Sequence, residues 1–171
     1  MGIYAQEEDE SCLPPSKKIQ KLIRSASTAP SPPLAVKGFD AAIQAAPDNA
    51  MVYYEFAMYA YKQALNYYER EIPNQAAGKK SFKKSEAMFK AALEYCSDYH
   101  ANCFYYLGVI NYNQDEPDEA ITYFKQFIAF EHTQAARYSD EHDKKVNDVK
   151  AVIAQVENDK KLLSNKVPFD P

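Results

Sequence analysis

Apolar and polar positions in this chain recur with a helical period, and the pattern is clearest from Ala101 to Phe127, which reads ANCFYYLGVINYNQDEPDEAITYFKQF. Phe104, Leu107 and Gly108 fall one turn apart, a polar break containing Pro117 follows, and Ala120, Phe124 and Phe127 resume the spacing. Residues three and four apart share one face of a helix, so the stretch predicts two amphipathic helices joined by a tight turn. Asp115-Glu116-Pro117-Asp118-Glu119 opens the second helix, with proline in its first turn and acids at its positive end.

The same spacing occurs elsewhere. Leu107, Gly108, Ala120 and Phe124 stand at +3, +4, +16 and +20 from Phe104. Ile19 is followed by Leu22, Ile23 and Ala26 at +3, +4 and +7, and then by Ala35, Phe39 and Pro47. Tyr53, 34 residues after Ile19, is followed by Phe56, Ala57 and Ala60 at those offsets. Its second half arrives late, as Ser85 and Phe89, because 32 residues instead of 16 separate Tyr53 from Ser85. The middle unit therefore carries an insertion of about 16 residues, and its first helix is expected from about Asn49 to Glu71, before Pro73-Asn74. Pro47-Asp48-Asn49 ends one helix and caps the next. Tyr138 and Ala154 continue the count, but Glu141, His142 and Lys145 occupy its apolar sites. Val146, Val149, Ile153 and Val156 instead predict one long helix over 139–164.

These residues resemble the tetratricopeptide repeat pattern W-x2-L-G-x2-Y…A-x3-F…P, with Phe104 for the tryptophan, Asn111 for the tyrosine and His132 for the closing proline. The resemblance implies an all-α fold, a right-handed α-solenoid of about three helical hairpins plus a long C-terminal capping helix. The implied layout is an N-terminal tail over 1–15, disordered and following a signal cleavage, then a repeat domain over 16–164. Its repeats cover about 16–48, 49–99 with the insertion, and 100–133, and the capping helix covers 139–164; residues 165–171 form a linker to a further domain. Gly108, Ala57 and Ala120 fall where paired helices approach closely, with Phe104, Leu107, Phe124 and Phe127 filling the adjoining space. The end segments CLPPSKKIQKLIRSA and NKVPFDP also resemble the edges of the repeat module in Bacteroidota envelope proteins that carry a WD40-like propeller and an OmpA-like domain. Some of those serve type IX secretion. That similarity implies a periplasmic or outer-membrane-associated location, with a cytoplasmic one as the alternative.

Composition narrows the function classes. The chain has 171 residues with 4 glycines, 14 tyrosines, 9 phenylalanines and a net charge of −4. Low glycine favours helix, and the acidic balance argues against a nucleic-acid partner. No apolar run is long enough to span a membrane. The run GKKSFKK (Gly78–Lys84) reads as a solvated helix face, with a phosphate-binding patch as the alternative. There is no glycine-rich phosphate loop, H-E-x-x-H or nucleophile elbow, so no catalytic residue and no cofactor is expected. Glu141-His142-Asp143 is expected to be exposed. Cys96, His100 and Cys103 lack a fourth ligand and an established zinc spacing, so no metal is expected there. The leading reading of these cysteines is half-buried helix-end residues; a Cys96–Cys103 disulfide across the turn stays open for an oxidising compartment.

The expected activity is therefore non-catalytic: a protein–protein interaction scaffold that binds a peptide or an envelope or secretion partner in the concave groove of the repeats. The register turns Tyr54, Met58, Tyr61, Asn102, Tyr105, Val109, Tyr112 and Asn113 toward that groove. Aromatic rings with a polar tip offer contact area at low entropic cost. The same tyrosines could instead pack against the lengthened middle repeat or the capping helix. Tyr54, Met58, Tyr105 and Val109 occupy much of the surface where some repeat proteins clamp a chaperone's terminal carboxylate, which disfavours that role. The alternative function is a helical-repeat protein that binds a small ligand or glycan.

Overall fold

The computed structural model describes residues 9–130 and 141–164, with side chains described as far as 161. All regular structure among them is helical: a short 3-10 turn Glu10–Cys12, then α1 Lys17–Ser27, α2 Pro32–Ala45, α3 Ala50–Tyr68, α4 Gln75–Tyr95, α5 Ala101–Asn113, α6 Pro117–Ala129 and α7 His142–Ser164. The described residues divide into two compact units between Tyr99 and His100. Met1–Glu8, His132, Tyr138, the start of the expected capping helix and the 165–171 linker lie outside the described residues.

The helices of the first unit begin and end where local chemistry requires. Prolines at the first positions of α2 need no helical hydrogen bond from their nitrogens. Asn74 caps α4, its side chain accepting a bond from the Ala77 N–H at 3.0 Å. The α3 helix stops at Tyr68, short of the expected Glu71, and the Asn74 N–H donates back to the Tyr67 carbonyl at 2.9 Å. Pro73 keeps the residue before it out of the helical region, so the chain turns there. The 32-residue spacing from Tyr53 to Ser85 is spent on helix length: α3 has 19 residues and α4 has 21, against 14 in α2.

In this unit α1 pairs with α2, α3 pairs with α4, and α3 also packs on α1 and α2. The core contains Ile23, Ala26, Phe39, Ala42, Val52 and Phe56. Phe39 and Phe56 are fully buried and stack with ring centroids 4.6 Å apart, an arrangement that adds to the burial of both rings. Small residues set the helix spacing. A Cβ on Gly38 would lie 2.8 Å from the Ala26 Cβ, and one on Gly78 would lie 2.5 Å from the Tyr68 ring. Ser85, buried on α4, donates its hydroxyl to the Ala57 carbonyl of α3 at 2.9 Å.

Residues 9–15 belong to the segment expected as a disordered tail, yet they are pinned to this unit. Cys12 forms a disulfide with Cys96, with Cα atoms 5.3 Å apart. The Ser11 hydroxyl donates to the Tyr95 carbonyl, and the Asn49 side-chain amide donates to the Leu13 carbonyl at 2.8 Å. Cys96 thus pairs with Cys12, and Cys103, the other partner considered, is a free thiol buried inside α5. Burial in apolar surroundings pushes its pKa far above the usual thiol range.

The second unit is the α5–α6 hairpin with α7 packed on α6. Pro117 opens α6, and Asp115 takes a left-handed conformation (φ 61°) in the tight turn before it. A Cβ on Gly108 would collide with the Phe124 ring, so α5 and α6 approach as closely as the small residue allows. The α7 stripe matches expectation: Val149, Ile153 and Val156 are buried in a cluster with Ala120, Ile121, Phe124 and Phe127. His142, expected to be exposed, is instead buried, its ring 4.6 Å from Phe127. It is the first residue of α7 and falls on the helix face that meets α6.

Candidate functional site

The positions that the sequence assigns to a groove fall into two sets, one in each unit. In the first unit, Tyr54, Met58 and Tyr61 share a face of α3 and all are half-buried. The Tyr54 ring lies 5.9 Å from Phe89 and 5.5 Å from Tyr99, and the Tyr61 ring lies 5.6 Å from Phe82. The long α4 helix therefore takes up much of the aromatic surface of this set.

In the second unit, α7 occupies part of the assigned surface. Asn102 is buried, and its Oδ1 accepts from the Lys145 ammonium at 3.2 Å. The same ammonium sits 4.9 Å from the centre of the Tyr105 ring and 5.5 Å from that of Tyr106. Burial lowers the Lys145 pKa and raises that of Tyr105. Tyr105 and Val109 pack against the cluster that holds Val149 and Ile153. Tyr112 and Asn113 remain exposed at the end of α5, with the Asn113 side chain donating to the Val109 carbonyl at 2.8 Å. Together with Asp115 and Pro117 they border a shallow open depression.

His100 caps α5. Its Nδ1 accepts from the Asn102 N–H at 3.0 Å, which requires that nitrogen to be unprotonated. Burial first, and then the neighbouring Lys145 and His142, lower its pKa to about 4. Cys96 and His100 therefore serve a covalent crosslink and a helix cap. The Cys12 and Cys96 sulfurs do lie near the Asp98 carboxylate, but as a disulfide they are not the thiolates a metal would need.

A further concave feature was not anticipated. It is an open cleft of about 960 Å³ in the first unit, bounded by Pro32, Pro33 and Val36 of α2, by Phe56, Tyr59, Ala60, Gln63 and Tyr67 of α3, by Arg70 beyond it, and by Ala77, Lys80, Ser81 and Lys84 of α4. At about 100° per residue, Phe56, Tyr59, Ala60, Gln63 and Tyr67 point to the opposite side of α3 from Tyr54, Met58 and Tyr61. The repeat register gives Phe56 and Ala60 packing roles, which is why the sequence hides them. Both stay buried at its floor, whereas Tyr59, Gln63 and Tyr67 on the same face of α3 are half-buried and open onto it. The usable signal was the run of lysines: Lys80 and Lys84, one turn apart, border the cleft, whereas Lys79 and Lys83 do not.

No protein-family model matches this chain, and no significant match to it occurs among curated proteins.

Proposed function

We propose that this protein is a non-catalytic protein–protein interaction scaffold of the bacterial cell envelope, built as a right-handed tetratricopeptide-type solenoid of three helical hairpins and a capping helix. The observation that carries the reading is the serial hairpin arrangement, α1–α2, α3–α4 and α5–α6, with Gly38, Gly78 and Gly108 at the close approaches. Repeats of this kind present extended surfaces for other chains. The Cys12–Cys96 disulfide supports an oxidising compartment, in keeping with the periplasmic or outer-membrane-associated location and a partner drawn from envelope or type IX secretion components. Tyr112 and Asn113 are the groove positions best exposed to a partner, with Tyr54, Met58 and Tyr61 offering partly covered aromatic edges.

The test is crosslinking of the protein in envelope fractions, with captured partners identified by mass spectrometry. A defined partner whose capture drops in Tyr61→Ala or Tyr112→Ala is expected. A chain that captures nothing but lights up a glycan array would favour the ligand-binding alternative and remove the scaffold reading.

A further inference from the structure

The cleft between α2, α3 and α4 combines aromatic rings with cations. Its floor is aromatic and aliphatic, with Phe56, Tyr59 and Tyr67 as the rings. Its rim carries Arg70, Lys80 and Lys84 and no carboxylate, in a chain with a net charge of −4. The cations are set over the rings: the Arg70 guanidinium lies 4.5 Å from the centre of Tyr67, and the Lys84 ammonium lies 4.8 Å from that of Phe56. Rings hold cations in this way by electrostatic attraction, which orients charge beside the apolar floor. A net-acidic protein that gathers three cations around one aromatic recess, with no carboxylate among the residues lining it, leaves that recess complementary to negative charge.

We infer that this cleft is a docking site for an acidic peptide segment of a partner protein, one that places an aromatic or aliphatic side chain on Tyr59 and Tyr67 and carboxylates against Arg70, Lys80 and Lys84. The inference rests on the scaffold reading and assigns a partner class to a face of α3 opposite the expected groove. A peptide fits better than a small anion because apolar surface and spaced cations are both on offer. It fits better than a lipid surface because the rings are recessed between helices and not displayed on a protruding face.

The probe is a fluorescein-labelled peptide of alternating glutamate and phenylalanine, titrated against the full chain by fluorescence anisotropy at low ionic strength. Saturable binding is expected, and it should weaken as salt is added. The double variant Lys80→Glu/Lys84→Glu should lose at least tenfold in affinity. The double variant Lys79→Glu/Lys83→Glu makes the same charge change on the same helix outside the cleft, and its affinity should stay within about twofold of the unmodified chain. Unchanged far-ultraviolet circular dichroism checks that each variant folds. Equal losses in the two variants would reduce the effect to net charge and overturn the site. So would equal binding of a peptide with lysine in place of glutamate, or the absence of peptide binding. Binding to anionic phosphatidylglycerol vesicles, or displacement of the peptide by millimolar inorganic phosphate at constant ionic strength, would replace the peptide with those occupants. If envelope partners are still captured through Tyr61 or Tyr112 while the peptide fails to bind, the cleft assignment falls and the scaffold reading stands.

Discussion

Breaking the Cys12–Cys96 bond should be the most damaging single chemical change to the first unit. The two cysteines are 84 residues apart, and the closed loop takes in all of α1, α2, α3 and α4. On chain-entropy grounds, a crosslink of that span removes about 4.5 kcal/mol worth of freedom from the unfolded chain. That is a large part of the ~5–15 kcal/mol by which a domain is ordinarily stable. The native contacts at stake are modest by comparison: the Ser11 bond to the Tyr95 carbonyl, the Asn49 bond to the Leu13 carbonyl, and the Tyr53–Tyr95 ring contact at 5.1 Å. The experiment compares urea unfolding of the oxidised protein, the reduced protein and a Cys12→Ser/Cys96→Ala variant, with hydrogen exchange read helix by helix. Protection in α1–α4 should fall by several kcal/mol on reduction and in the variant alike, while α5–α7 change little. Native protein should expose no thiol to an alkylating reagent, since Cys103 is fully buried and its pKa is raised. A stability loss under about 1 kcal/mol, or a loss of protection spread equally over both units, would refute the entropic argument.

Three further outcomes follow from packing and protonation. Gly108→Leu drives a side chain into the Phe124 ring and should destabilise by about 1–3 kcal/mol; an unchanged melting temperature would contradict the close approach of α5 and α6. Ser85→Ala removes the buried hydroxyl bond to the Ala57 carbonyl and should cost about 1 kcal/mol in urea unfolding, whereas a stability gain would show that the bond contributes nothing net. His100 has a folded pKa near 4, below the ordinary histidine value, so between about pH 6.5 and 4 the unfolded chain holds more protons and stability falls as pH drops through that window. His100→Asn keeps a capping side chain without titrating, so the stability difference between the two proteins should change across that window; a constant difference would show that His100 is not the titrating group.

The helices were legible because their signals are local. Phe104, Leu107, Gly108, Ala120 and Phe124 mark α5 and α6 within 21 residues, and Pro47, Pro73 and Pro117 mark breaks. The stripe of Val149, Ile153 and Val156 was readable for the same reason. What escaped depends on distant partners. Nothing in the spacing of Cys96 and Cys103 points to Cys12, because a crosslink over 84 residues leaves no period behind. The sequence gives no sign that Lys145 reaches Asn102, 43 positions earlier, and with it part of the expected binding surface. The cleft escaped because the register labels Phe56 and Ala60 as core positions, which they are, and assigns no role to the half-buried Tyr59, Gln63 and Tyr67 that share their face of α3.

The disulfide also decides how the chain would answer to mechanical load. Pull on residues before Cys12 and after Cys96, and tension bypasses α1 to α4 through a single covalent bond. The 84-residue loop would otherwise yield about 290 Å of extended chain, and that length stays locked while the bond is oxidised. Only the segment beyond Cys96 can pay out, so under a stretching force the first unit behaves as a rigid knot on the line, and reduction turns it into slack.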